Sequence, residues 1–206
     1  MKLKKRIICL VDGFNLYHAL ADNLAYRKFK WLNLRKLCES FISDDEVVEN
    51  IFYFSAYARW DPKKVARHKI YIEALQLVNV QSILSEFKHK DKRCRRCGKI
   101  YKTYEEKQTD VRIAITLFQK AIDDKFDKAI IISADSDLIP AIEAVKGMFL
   151  AKEIKLLIPI TRRAEALKIA VDNYSKIKTK HLASCQFDDS IILSSGKVIT
   201  RPAEWY

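Results

Sequence analysis

Glycine is scarce, with four residues in 206. No G-x-x-x-x-G-K-[S/T] segment occurs, so a P-loop ATPase is excluded: its phosphate cradle is built from glycine-rich backbone. Long apolar runs are missing too. No stretch approaches the roughly twenty residues of a membrane span, and the opening "MKLKKRIICLVDGFN" reaches an aspartate too early for a secretory leader. Cysteine is sparse and odd in number, five in all, with only Cys94 and Cys97 clustered. That usage suits a reducing compartment better than a disulfide framework, and the expectation is a cytoplasmic protein.

Acidic residues are in deficit, 26 against 38 Lys and Arg, for a formal charge of +12. The excess is concentrated in "KHKDKRCRRCGKIYK" (88–102), where eight Lys or Arg face one Asp. Such a patch attracts phosphate backbones by counterion release, whatever their base sequence. A solvated charge run is the plainer alternative.

What is present is a regular alternation of apolar runs and amphipathic stretches. "RIICLV", "EVVENIFYFSAY", "NVQSILSEF", "DKAIIIS" and "EIKLLIP" read as strands. Helices are expected over "LYHALADNL", "NLRKLCESFI", the stretch opened by Pro62, "TDVRIAITLFQKAID", "LIPAIEAVKGMFL" and "TRRAEALKIAVDNY". The tail "DDSIILSSGKVITRPAEWY" reads as two short strands around Ser-Ser-Gly. This pattern predicts an α/β three-layer sandwich with a mostly parallel central sheet, a small basic hairpin insert and short C-terminal strands. One domain is expected over 1–180, with the Cys-Arg-Arg-Cys insert at 88–104, followed by a C-terminal extension over 181–206 packing on it.

Three sequence-distant stretches deliver acids to the edge where such sheets bind ligands, beyond the strand C-termini. Asp12 follows the first apolar run, with Asn15 behind it; Asp135 and Asp137 follow "AIIIS"; Asp110 opens a helix. Each has an ordinary reading. Asp12 forms a turn, Asp110 or Thr109 caps a helix, and Asp135 and Asp137 cap the next one. All three stretches fall on one side of the sheet, however. Within ~4 Å, unit charges repel by about 1 kcal/mol in water and about 4 at an effective dielectric near 20. A hard divalent cation with oxygen ligands, Mg²⁺ above all, resolves that crowding and suits phosphodiester chemistry. A phosphatase of the haloacid-dehalogenase type needs a second Asp two residues after Asp12, and position 14 is Phe.

"CLVDGFNLYHAL", "EEKQTDVRIAITL" and "IIISADSDLIPAIE" together resemble the signature stretches of the NYN domain, in its LabA-like branch, within the PIN-like nuclease superfamily. The resemblance runs from about residue 6 to about residue 175, in matching order and spacing. It implies a parallel-sheet α/β fold and metal-dependent ribonuclease activity with Mg²⁺ or Mn²⁺. The family's acidic positions fall on Asp12, Asp110, Asp135 and Asp137, with the polar Asn15 beside them. Many relatives carry Gly where this chain has Ala134. The implied function is a metal-dependent endoribonuclease acting on single-stranded or structured RNA; the alternative is a non-catalytic RNA-binding or adaptor protein on the same scaffold. Nucleases of this shape often pair, so a homodimer is among the expected states.

"CRRCG" has the spacing of half a zinc knuckle. A structural Zn²⁺ on Cys94 and Cys97 needs two more ligands, and His89, His181, Cys38 and Cys185 are the only obvious ones. The plainer reading is a basic hairpin with two reduced cysteines. Phosphate contacts are expected from Lys92, Arg93, Arg95, Arg96, Lys99 and Lys102, and from Arg162 and Arg163 beyond the fifth strand. Tyr101 and Tyr104 either stack on bases or pack within the hairpin.

Overall fold

The apolar run after Lys5 alternates between two cores. In β1 (Lys5–Asp12), Ile7, Cys9 and Val11 enter one and Ile8 and Leu10 the other. This is the two-faced burial of a central parallel strand. The computed structural model describes residues 4–193 and 195–206. β1 pairs in parallel with β2 (Glu46–Ala56) on one side and with β5 (Lys128–Ile132) on the other. β3 (Val80–Arg93) and β4 (Ile100–Lys107) extend the sheet beyond β2; β6 (Glu153–Ile158) and β7 (Asn173–Lys176) extend it beyond β5. The order is β4-β3-β2-β1-β5-β6-β7, and only β4 runs antiparallel to its neighbour. β8 (Ser190–Ile192) and β9 (Val198–Thr200) form a separate antiparallel pair, as expected for the tail; Ser194, part of the expected Ser-Ser-Gly connection, lies outside the described residues.

One face is covered by α1 (Gly13–Ala21), α2 (Leu34–Glu39) and α3 (Pro62–Leu77), the other by α4 (Thr109–Ile122), α5 (Ile139–Met148) and α6 (Glu165–Ala170). In α4 the buried residues Ile113, Leu117 and Ala121 form the expected stripe at helical spacing. α7 (Thr179–Ser184) leads into the tail, whose Phe187, Ile199 and Trp205 join the first core. Trp31 holds that tail: its ring packs against Phe187 and Trp205, and its Nε1–H donates to the Asp188 carbonyl at 2.8 Å. Among the described residues no helix is long and apolar enough to cross a membrane.

Two expected helices are shorter than their patterns. α2 stops at Glu39, where the Ser40 hydroxyl donates to the Leu37 carbonyl at 2.7 Å. The helix expected across 161–174 is only α6, and Asn173–Lys176 is an edge strand instead. Asp172 makes the break: its carboxylate accepts the Ile154 N–H at 2.8 Å and pairs with Lys146 at 2.8 Å, tying the chain to the sheet. The short β7 carries Asn, Ser and Lys, so neither helical nor strand periodicity announced it.

Candidate active site

Strand order reverses between β1 and β5, the position at which open parallel sheets form a ligand crevice. Asp12 ends β1 and is 3% exposed. Its Oδ1 accepts the Asn15 N–H at 2.9 Å, capping α1, and its Oδ2 accepts the Ser133 hydroxyl at 2.7 Å. Ser133 Oγ accepts the Asp135 N–H at 3.1 Å, and Asp135 Oδ1 accepts the Asp137 N–H at 3.0 Å. One chain of hydrogen bonds therefore fixes the turns after both central strands. Asp12 forms the expected turn and also caps α1, whereas Asp135 caps the short 3-10 turn Ser136–Leu138 rather than α5, whose capping position is Leu138.

The electrostatics join the third stretch to these two. Burial, reinforced by the charges of Asp110 and Asp135, pushes the Asp12 carboxyl up to about 6 against its two hydrogen bonds. Asp110 is raised by burial and then by Asp135 and Asp137. Asp110 does not cap its helix. The capping position is Gln108, in the left-handed region at φ 75° with no side-chain bond, and the Thr109 hydroxyl donates instead to Glu106 at 2.6 Å.

Glu106 is the acid the sequence reading missed. Burial, then the charges of Asp12 and Asp110, raise it to about 7 despite the Thr109 bond. Strand alternation could have found it: in β4, Glu105 faces Lys90 and Lys107 while Glu106 turns to the opposite face. Gly13 is required by close approach. A Cβ there would lie 2.4 Å from Tyr53 Cε2 and 2.6 Å from the Phe54 carbonyl oxygen.

Among the described residues no three His, Cys, Asp or Glu side chains are grouped so as to hold a metal ion. The donor chemistry nonetheless fits a hard divalent cation. The acids that meet there are oxygen donors, Asp110 and Asp135 raise the proton affinity of Asp12 as Asp135 and Asp137 raise that of Asp110, and Asn15 Oδ1 is buried without a hydrogen-bond partner.

The basic segment is the end of an arm. β3 pairs with β2 only as far as Ser85, then continues from Glu86 to Arg93 with β4 as its sole partner. Eight residues of strand carry the arm roughly 25 Å past the C-terminal edge of the sheet. Lys92, Arg93, Arg95, Arg96, Lys99 and Lys102 are exposed along it. Lys90, Lys92 and Lys107 share Glu105, whose carboxyl Lys90 and Lys107 hold at about 2. Tyr104 stacks on Trp60 at 3.8 Å, whereas Tyr101 is exposed. At the tip, Gly98 takes φ 70° and its N–H donates to the Cys94 carbonyl at 2.9 Å. The N–H groups of Cys97 and Arg96 lower the Cys94 thiol. None of the expected further zinc ligands joins the pair. Cys38 and Cys185 lie in the first core, His181 packs on the Phe41 ring, and His89 faces Tyr104 within the arm. Arg162 follows β6 at the site edge, but its guanidinium is paired with Asp22 at 2.9 Å; Arg163 is exposed beside it.

The chain is 23% identical over 239 residues to 6-hydroxy-3-succinoylpyridine 3-monooxygenase HspA of Pseudomonas putida (strain DSM 28022 / S16), covering 95% of this chain and 74% of that protein. The crystal structure of a protein of unknown function, VPA0982 from Vibrio parahaemolyticus RIMD 2210633, superposes with a TM-score of 0.58 at 20% identity, covering 87% of this chain and 96% of that one. The NYN domain model matches residues 6–178, from the first residues of β1 past β7 and across all three acid-bearing stretches. The chain therefore belongs to the NYN domain family, within the PIN-like nuclease superfamily.

Proposed function

We propose that the protein is a metal-dependent endoribonuclease that hydrolyses phosphodiester bonds of single-stranded or structured RNA. The observation that carries this reading is the electrostatic coupling of Asp12, Asp110 and Asp135, from three distant stretches, at the crevice where strand order reverses. Asp12, Asp110, Asp135 and Asp137 would hold a divalent cation such as Mg²⁺ or Mn²⁺. When bound, it would neutralise the cluster, polarise the phosphorus centre and acidify water.

The chain's own groups do the rest. Asn15 and Ser133 fix both oxygens of Asp12, so its free lone pairs keep one direction. Asn15 Oδ1, unpartnered and neutral, orients water without adding charge. Glu106, raised to about 7 by burial and by the charges of Asp12 and Asp110, would take a proton from the attacking water and return it to the leaving oxygen. The arm supplies the cations that hold the RNA backbone. The oxygenation named for the Pseudomonas relative belongs to a protein 23% identical to this chain, whereas the NYN domain match spans all three acid-bearing stretches and favours phosphodiester hydrolysis.

The test is cleavage of an end-labelled single-stranded RNA by purified protein in Mn²⁺, in Mg²⁺ and with chelator, beside Asp135→Asn. Metal-dependent cleavage that disappears in the variant is expected. RNA bound but intact under every condition would give the lead to the non-catalytic RNA-binding reading.

A further inference from the structure

Next to the carboxylates, Gly13 opens onto a cavity of about 410 Å³ between α1 and α3. That size is ordinary for a small-ligand site. Its mouth is walled by Phe14, Tyr17, Trp60, Phe87 and Tyr104, which come from α1, the loop after β2, and the arm. Phe14, Tyr17, Trp60 and Tyr104 each remain 38–40% exposed around this one opening. A fold that buries Trp31 and Phe54 completely gains nothing for its core by leaving four aromatic rings half in water. The rings are also ordered. Trp60 lies parallel to Tyr104 at an interplanar angle of 6°, with Phe87 edge-on to it at 4.8 Å and Phe14 edge-on to Phe87.

The interior is polar only at particular points. The Tyr53 hydroxyl stands 3.4 Å from His68 Nε2, and Ser55 lies beside them. Burial lowers His68 to about 4, so near neutral pH its uncharged ring offers one donor and one acceptor. Lys30, Lys64 and Arg67 also line the cavity. Glu204 takes up Arg67 at 2.6 Å, and Asp61 lies 3.6 Å from Lys64. Lys30 is depressed chiefly by burial and then by the charges of Arg27 and Arg67, with Glu204 opposing.

Stacking walls, a hydrogen-bonding floor and a lining lysine, Lys30, with no ion pair among the described residues call for a planar heteroaromatic ring bearing an anionic group. We propose that this cavity receives the base of a nucleotide flanking the scissile phosphodiester of single-stranded RNA, stacked at Trp60 and Phe14 and read at its edge by Tyr53, Ser55 and His68. The assignment rests on the nuclease reading for the position of the phosphodiester. The ring-binding site itself does not depend on turnover. Cleavage beside the cavity should accordingly require an unpaired base, because a base held in a duplex cannot enter.

The experiment is calorimetric titration of Asp135→Asn in chelator, where cleavage cannot intervene, with each of the four ribonucleoside 5′-monophosphates and with pyridine-3-carboxylate. Saturable binding of at least one nucleotide is expected. Adding Trp60→Ala should weaken it about 5- to 150-fold, the equivalent of a base–aromatic stack of ~1–3 kcal/mol. Ala58→Phe, which fills the cavity without removing a contact, should abolish it at unchanged melting temperature. Binding of the pyridine acid without any nucleotide would overturn RNA as the occupant. No saturable binding, or binding indifferent to Ala58→Phe, would overturn the site. RNA cleavage by the otherwise native chain is scored separately. Cleavage without nucleotide binding sinks the cavity and keeps the nuclease; nucleotide binding without cleavage does the reverse.

Discussion

Asp12→Asn removes a charge from the most buried point of the cluster, and its effect on stability can be worked from the structure. The carboxyl is 3% exposed and raised from 3.8 to about 6, chiefly by burial. At about 1.4 kcal/mol per unit, the ionised form costs the folded state about 3 kcal/mol. Between pH 3.8 and about 6 the folded protein holds a proton that the unfolded chain has released, so this group's contribution falls as pH rises through that window. Above it the penalty is constant. Asparagine keeps an oxygen for the Asn15 cap, and Ser133 Oγ can turn to accept its amide. The ionisation cost is already net of the two hydrogen bonds to the ionised form. The variant should therefore be more stable by about 3 kcal/mol at pH 8 without metal, a rise of about 6–12 °C in Tm for a chain of this size. Thermal melts of both proteins in chelator, from pH 4 to pH 8, are the assay. The advantage should shrink towards zero at the acid end. Groups that do not sense Asp12 titrate alike in both proteins and cancel in the difference; Glu106, which the Asp12 charge raises, is relieved in the variant and adds to its advantage at the alkaline end. A variant less stable at pH 8, or a difference flat across the range, would refute the claim that this carboxylate is held against its own repulsion. Saturating Mg²⁺ should narrow the gap by stabilising only the native sequence.

The remaining predictions concern the arm and the backbone. Neutralising Arg93, Arg95 and Arg96 together should reduce the slope of log binding constant against log salt for single-stranded RNA by about 2; an unchanged slope removes the arm tip from the binding surface. Alkylation followed by mass spectrometry should label Cys94 and Cys97 before the buried Cys9, Cys38 and Cys185, because the tip thiols are accessible and Cys94 is lowered by neighbouring N–H groups. Prior incubation with Zn²⁺ should slow that labelling if the pair holds the ion. Gln108→Gly should raise stability by about 0.5–1 kcal/mol by relieving the left-handed backbone before α4, read from denaturant midpoints. Gly13→Ala should cost at least about 1–3 kcal/mol, since its methyl meets the Tyr53 ring and the Phe54 carbonyl, and should impair cleavage and nucleotide binding together.

The parallel core was readable because Ile7 to Val11 and Ala129 to Ile132 are apolar on both faces, a pattern few other settings produce. Asp12, Asp110 and Asp135 were readable as a group because topology alone sends the ends of β1 and β5 and the start of α4 to one edge. Glu106 was not, because its role depends on which face of a short antiparallel strand turns inward, and the adjacent Glu105 looks the same in sequence. β7 was hidden by a polar edge strand whose pairing is fixed by Asp172 rather than by its own residues. The cavity was beyond reach for a different reason. Its wall is assembled from α1, β2, α3, the arm and the tail, and no local spacing relates them.

On the nuclease reading, the arm also acts as a ruler. Its charged tip stands roughly 25 Å beyond the sheet edge, and a stacked strand advances about 3.4 Å per nucleotide. On the nuclease reading, an RNA must be about seven nucleotides long to touch the tip and the carboxylates at once. Shorter oligomers engage one end or the other, so affinity should climb steeply with length up to that point and level off beyond it. β4 leads directly through Gln108 into α4, so the base of the arm and Asp110 lie on one short continuous stretch of chain.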